Sequence, residues 1–409
     1  MRVIFLNRFY WPDEPATAQL LADLAEGLAA RGHDVTVIAS HPGRPEVSRA
    51  ETRRGVRIAR VAGTRWAGAG LAGKAADFAT FFAGACWRLL FTARRGDTVV
   101  SLTDPPLIGV GVWPVAGMRG ARLVHWVQDI YPELAMELGG YRWLRVLRPL
   151  RNLAWRRADR CVTLGSGMAA VLAEAGVAAE KIRVIPNWAP AGLAPAPAEI
   201  ADPLRAEWGL AGRFVVAYSG NLGRVHDLDP VLALAEALRD TPSVVFVFIG
   251  GGAQRAPLEA EAARRGLPNV LFHPPQPRAR LAESLALGDA HLVTLRPGCE
   301  RYVFPSKLYG AAAVGRPVIF IGPPGSEFAR LVAERGFGRA FARTDLAALA
   351  AFVRGLAADR AAVVRLGKAA AQFSTDTGGA DAALARWLAA LAPPGLAAAS
   401  RPPLNRPTE

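Results

Sequence analysis

The sequence predicts an α/β protein built from two doubly wound parallel-sheet halves, and three observations lead there. Short apolar runs rich in Val, Ile and Phe alternate with longer Ala- and Leu-rich stretches of helical period. The runs are apolar on both faces, as strands covered by helices on either side must be. The alternation breaks once, at Ala189–Ala198, where Pro and Ala replace any periodicity.

In chain order the first half offers strands at Val3–Leu6, Val35–Ala39, Val56–Val61, Thr98–Ser101, Arg122–Val127, Arg160–Thr163 and Arg183–Ile185. The second offers Phe214–Ser219, Val244–Ile249, Val270–Phe272, Ala290–Thr294 and Pro317–Ile321. Helical stretches lie between them; in Thr17–Ala30, for example, Leu20, Leu21, Leu24, Ala25 and Leu28 fall on one face. The expected layout is a first domain over 1–188, a linker at 189–203, a second domain over 204–375, a C-terminal helix at 376–392 and a disordered tail at 393–409. Two such sheets place their ligand sites at the carboxyl ends of the strands, in a cleft between the halves.

Composition removes several classes. At 51% hydrophobic and 21% charged residues the chain has enough apolar surface to fold. Three cysteines without a CxxC pair argue for a reducing compartment and against a disulfide framework or thiolate metal site. No uncharged run reaches the ~20 residues of a spanning helix, and Val3–Leu6 is short for a signal peptide. Residues 1–187 hold nine of the fourteen net positive charges, but these are scattered and carry no recognition motif, so nucleic acid is not an expected partner.

Three motifs in the second half bear on chemistry. Ala217-Tyr-Ser-Gly-Asn-Leu-Gly-Arg224 joins a strand to a helix: Gly220 and Gly223 let backbone approach a ligand beside Asn221, and Arg224 offers a fork suited to phosphate. An ordinary turn would use the same glycines, so spacing leaves both readings open. A second turn, Ile249-Gly-Gly-Gly-Ala253, contains Gly250 and Gly251. Neither is G-x-G-x-x-G with an acidic residue about 20 positions on, which sets a dehydrogenase aside. In Tyr302-Val-Phe-Pro-Ser-Lys-Leu-Tyr309, Ser306 fits an N-cap and Lys307 the first helical turn, where a cation opposes the dipole and wants either water or an anion.

In the first half, His125-Trp-Val-Gln-Asp-Ile-Tyr-Pro-Glu133 puts Asp129 just past a strand end, and Asp104 follows another strand. Asp227-Leu-Asp229 has the D-x-D form but sits at a helix start, so it is expected to cap rather than bind metal. Trp66–Arg95 and Tyr141–Arg160 mix aromatic, aliphatic and basic residues as helices lying on an anionic membrane do.

Together these segments, with Phe9-Tyr-Trp-Pro-Asp-Glu14, Arg31-Gly-His-Asp-Val-Thr-Val37, Val184-Ile-Pro-Asn187 and Gly315-Arg-Pro-Val318, make the chain resemble the retaining glycosyltransferases of family 4, which have the GT-B fold. The resemblance points in particular to their bacterial colanic-acid and O-antigen branch. It implies that the second half binds a nucleoside diphosphate sugar (UDP- or GDP-) and the first half a polyprenyl-diphosphate-linked saccharide, at the inner face of the plasma membrane. Arg224 and Lys307 would grip the diphosphate without metal or other cofactor. Asp129 would stand beside the reacting sugar carbon. Gly220, Asn221, Gly223, Gly250, Gly251 and Ser306 would line the donor, and Glu14 and Asp104 the acceptor. Tyr302 and Gly310 stand where the family has paired glutamates, so Glu327 is expected to serve the donor in their place; Glu14-Pro-Ala-Thr-Ala18 replaces the usual glycine pair. A sugar-nucleotide epimerase of the same fold, or a non-catalytic subunit of a polysaccharide assembly, are the rival readings.

Overall fold

Runs such as Val244-Val-Phe-Val-Phe-Ile249 leave no face for water, and each becomes a strand buried along its length. The computed structural model describes residues 1–13, 15–66, 68, 70–377 and 379–393. Among them the first half forms β1 (Arg2–Leu6), β2 (Asp34–Ser40), β3 (Ala50–Arg53), β4 (Val56–Val61), β5 (Thr98–Ser101), β6 (Arg122–Val127), β7 (Arg160–Thr163) and β8 (Ile182–Val184). The second forms β9 (Phe214–Ser219), β10 (Val244–Ile249), β11 (Val270–His273), β12 (Ala290–Thr294), β13 (Val318–Ile321) and β14 (Gly338–Phe341). Every predicted strand is present within a residue at either end; β3 and β14 were not predicted.

The first sheet runs β3-β4-β2-β1-β5-β6-β7-β8, parallel except for β3 against β4, and the second runs β11-β10-β9-β12-β13-β14, parallel throughout. Each therefore has one point where the strand order reverses, between β1 and β5 and between β9 and β12. The loops leaving those four strands open a crevice at the carboxyl edge of each sheet. The two crevices meet: the Ile130 amide donates to the Tyr302 carbonyl at 2.8 Å, and Asp129 and Val303 form an isolated antiparallel bridge.

The helix Gly379–Leu391 returns to the first lobe. Trp387 is fully buried 4.6 Å from the Trp126 ring of β6, with Trp188 stacked 5.9 Å away on the same indole, and Arg122 donates to the Leu391 carbonyl at 2.8 Å. The expected linker is anchored at its start, where Trp188 and Ala189 are buried, and ends in a short 3-10 turn at Ala198–Ala201. Of the expected tail, all but Pro393 lies outside the described residues.

Candidate functional site

A cavity of about 570 Å³, open to solvent, lies between the lobes. The first lobe contributes Thr17, Gln128, Asp129 and Asn187; the second contributes Val225, His226, Leu295, Phe304, Ser306 and Lys307. Asp129 and Lys307, read from the sequence as parts of one site, thus line the same space although 178 positions separate them.

The glycine turns after β9 and β10 lean on each other. Gly220 (φ 125°) and Gly250 (φ 148°) hold backbone angles that side chains avoid, and a Cβ on Gly250 would run into the Gly220 carbonyl. Their amides are engaged as well, Gly220 N–H with the Ile249 carbonyl at 2.8 Å and Gly250 N–H with that of His273 at 3.1 Å. Gly250 is therefore buried packing between two turns and presents no open surface to a donor, a correction to its expected role. Gly251 accepts from the Leu222 amide at 2.7 Å. Asn221 and Arg224 are exposed at the turn's outer edge, where the Arg224 guanidinium makes no ion pair among the described residues.

Lys307 opens the helix Lys307–Ala313. Ser306 precedes it, but its hydroxyl makes no cap bond, contrary to expectation; the residue lines the cavity instead. The Lys307 ammonium lies 2.8 Å from His226 Nε2 and 4.9 Å from the centre of the Tyr218 ring. Burial brings its pKa down to about 7. His226 Nδ1 sits 2.7 Å from the Thr294 carbonyl. Because a carbonyl only accepts, that nitrogen carries the proton and Nε2 is an acceptor. Burial, with Lys307 nearby, lowers the His226 pKa to about 3, so the ring is neutral.

Opposite stands Asp129, with no hydrogen bond to its carboxylate among the described residues. Burial, and then the charge of Asp104, push its pKa up to about 7. Asp104 itself is held by Arg8 at 2.9 Å, so this expected acceptor-side residue ties two first-lobe loops together rather than offering a free carboxylate. Behind Asp129, Gln128 and Asn187 exchange a pair of 3.1 Å hydrogen bonds, and Glu133 accepts both arms of Arg151 at 2.7 and 2.9 Å.

Glu327 departs from expectation. Its carboxylate accepts from the amides of Ser166 and Gly167 at 3.0 and 3.1 Å, capping the helix Ser166–Glu174 across the lobe boundary. In this conformation it serves as an interlobe latch, beside an ion pair of Arg301 with Glu174. Gly310 lies inside the helix and Tyr302 gives its carbonyl to the lobe contact, so neither supplies a substitute acid. Asp227 is buried against Arg343 at 3.5 Å, and Asp229 starts the helix Asp229–Ala237. Glu14 lies outside the described residues.

The predicted surface helices divide. Trp66, Trp87 and Phe91 are exposed, as are Trp143, Val146 and Leu150, whereas Phe81, Leu89, Trp155, Arg151 and Arg160 are buried in the lobe. Among the described residues no helix is long and apolar enough to cross a membrane. His226, absent from the sequence-based site, is central to the observed one. The signal for it was its place two residues after Arg224.

Comparison with known proteins agrees with this geometry. The family model described as "Glycosyl transferase 4-like domain" matches residues 17–188, and "Glycosyl transferases group 1" matches residues 202–373. WcaI of Escherichia coli (strain K12), named as a colanic acid biosynthesis glycosyl transferase, is 28% identical over 81% of this chain and 86% of its own. WbjE of Pseudomonas aeruginosa, named as a glycosyltransferase, is 29% identical over 65% and 67%. In fold, the chain is similar to Anabaena HepE in complex with UDP-glucose, with a TM-score of 0.72, 16% identity, and coverage of 95% of this chain and 99% of the other. With both lobes matched in order and the GT-B architecture in place, the chain belongs to the glycosyltransferases of family 4.

Proposed function

We propose that the protein transfers a sugar, with retention of anomeric configuration, from a nucleoside diphosphate sugar to a lipid-linked saccharide during assembly of a cell-surface polysaccharide. The observation that carries this is the cavity itself: Lys307 of the second lobe and Asp129 of the first line one space between the lobes. The names of WcaI and the ligand of HepE support the pathway class and the donor class.

On this reading the bond from the anomeric carbon to the diphosphate oxygen breaks with its electron pair leaving on the oxygen. Arg224 and Lys307 meet the growing negative charge, so no metal is called for. Asp129, in its ionised form, faces the positive charge that develops on the sugar. The acceptor hydroxyl adds on the face the diphosphate leaves, and its proton passes to the departing oxygen. Exposed Trp87 and Phe91 meet edge to face, 4.9 Å apart, on a helix that packs on Ile108–Met118, which packs in turn on Arg148–Arg157. With Arg88, Arg145 and Arg148 these helices form a face suited to anionic lipid, which supports a peripheral position at the membrane.

The test is release of nucleoside diphosphate from UDP- and GDP-sugars in the presence of extracted polyprenyl-linked saccharides. Arg224→Ala and Lys307→Ala should each slow release by about 10²-fold or more. Wild-type turnover in both variants, or conversion of the donor to a new sugar nucleotide without acceptor, would sink the proposal.

A further inference from the structure

His226 is buried, neutral and bonded at both nitrogens, yet nothing in the transfer step described above uses it. Its Nδ1–H is fixed by the Thr294 carbonyl at the end of β12, and its backbone carbonyl accepts from Gln254 at 2.9 Å. The ring stands edge-on to Tyr218 with centroids 5.8 Å apart. An imidazole locked in this way has one free lone pair, on Nε2, and that lone pair meets Lys307.

The other groups around the ammonium are few. Tyr218 of β9 offers its ring face, Arg224 stands two residues before His226, and Asp129 faces from the first lobe. Among the described residues Lys307 has no carboxylate partner, so a neutral acceptor and an aromatic face hold it. A neutral acceptor orients an ammonium without cancelling its charge.

We propose that His226 is the positioning residue of the donor site: locked by Thr294, it holds the Lys307 side chain on the cavity wall in the empty enzyme and shares it with the incoming diphosphate, the neutral fraction of the amine taking up a proton from solvent. The proposal rests on the donor-site reading above. It assigns Nε2 two tasks. It keeps the amine aimed into the cavity without a competing anion, and it supports the charged form through one N–H bond while the other two N–H groups are left for phosphate oxygens. Desolvation, which brings Lys307 close to half-neutral at physiological pH, makes the proton uptake visible.

The chain has only four lysines, Lys74, Lys181, Lys307 and Lys368. Full-length protein labelled with 15N at the lysine side chains therefore gives a readable spectrum, and Lys307→Arg assigns the resonance. The expected result is a Lys307 titration near neutrality that UDP or GDP shifts upward. Nucleotide affinity should be flat at low pH and fall up to tenfold per pH unit above the midpoint. His226→Phe removes the acceptor at similar volume; it should move the Lys307 midpoint down and carry the step in nucleotide affinity with it. His226→Gln, whose amide oxygen can accept, should restore both. A purely structural histidine would weaken binding equally at every pH and leave the step in place, and that outcome overturns the proposal. An unmoved Lys307 resonance in His226→Phe overturns it too, even if nucleotide binds normally. Failure of wild type to bind either nucleotide overturns the donor-site reading and the handover together.

Discussion

The first lobe faces the cavity with an acid, Asp129, and the second with an amine, Lys307, and the two walls conceal charge by opposite means. On the first, Asp104 is paired with Arg8 and Asp129 is left unbonded, raised to about 7 by burial and then by the charge of Asp104. On the second, Lys307 has no counter-ion and is lowered to about 7 against a neutral imidazole. An empty site whose acid and base both sit near half-ionisation avoids most of the cost of two desolvated charges. On the proposed reading a diphosphate sugar would supply what each wall lacks: negative charge for Lys307 and, as the bond breaks, positive charge for Asp129. This site is prepared by withholding counter-charges rather than by pairing opposite charges in advance.

Breaking the support of the acidic wall should have the largest effect. Arg151→Ala leaves Glu133 buried with Arg148 alone and frees the Tyr131 carbonyl, which Arg151 also holds at 2.6 Å. Arg148 still pairs Glu133, so the cost is that of the lost charged bonds and the freed carbonyl, about 1.5–3 kcal/mol, and urea unfolding should shift by that amount; a shift below about 1 kcal/mol would mean a surface-like pair. Next comes the acid itself. Asp129→Asn should slow transfer by about 10²-fold, the loss seen when one group aimed at developing charge is removed. The same change should raise the melting temperature at pH 8, because it deletes a buried carboxylate with no bond.

The pH dependence of stability sharpens the comparison, since the two walls act with opposite sign. Asp129 is raised from 3.8 to about 7 on folding, so between these values the native state binds more protons than the unfolded chain, and its contribution to stability falls as pH rises. Lys307 is lowered from 10.5 to about 7, so between pH 7 and 10.5 the unfolded chain binds more, and stability rises with pH. Each contributes at most about 1.4 kcal/mol per pH unit. Chemical melts of Asp129→Asn should lose the first slope and those of Lys307→Met the second; equal slopes in both variants would refute the picture. The smallest effect is at the latch. Glu327→Gln weakens two charge-assisted bonds across the lobes, with a cost of about 1 kcal/mol. Small-angle scattering should then show a larger radius of gyration without nucleotide, and an unchanged radius would assign the Glu327 contact no part in closure.

The predicted strands were visible because a parallel sheet buries both faces and so writes an unbroken apolar run. β3 and β14 were not, because they are edge strands: Ala50-Glu-Thr-Arg53 and Gly338-Arg-Ala-Phe341 have one neighbour each and keep the polar residues that an edge tolerates. At the site, Arg224 and Lys307 stood out through glycine context and an ill-placed charge, which are local signals. His226 did not, since its importance comes from Lys307, 81 residues away, and from a carbonyl on another strand. Glu327 was legible as an acid at a helix start but not as the cap of a different helix, a contact that exists only once the lobes meet.

The return of Gly379–Leu391 to the first lobe has a consequence for synthesis. Leu384, Trp387 and Leu391 complete the same core as Val3, Leu24 and Trp126. A nascent chain that has finished all eight strands of its first sheet still exposes an indole slot beside β6, the strand that leads to Gln128 and Asp129. The core behind the acidic wall is therefore complete only once Gly379–Leu391 has joined it, although every residue of the basic wall comes earlier in the sequence. A change to Trp387 is thereby felt at the first strands of the sequence, whose core this helix shares.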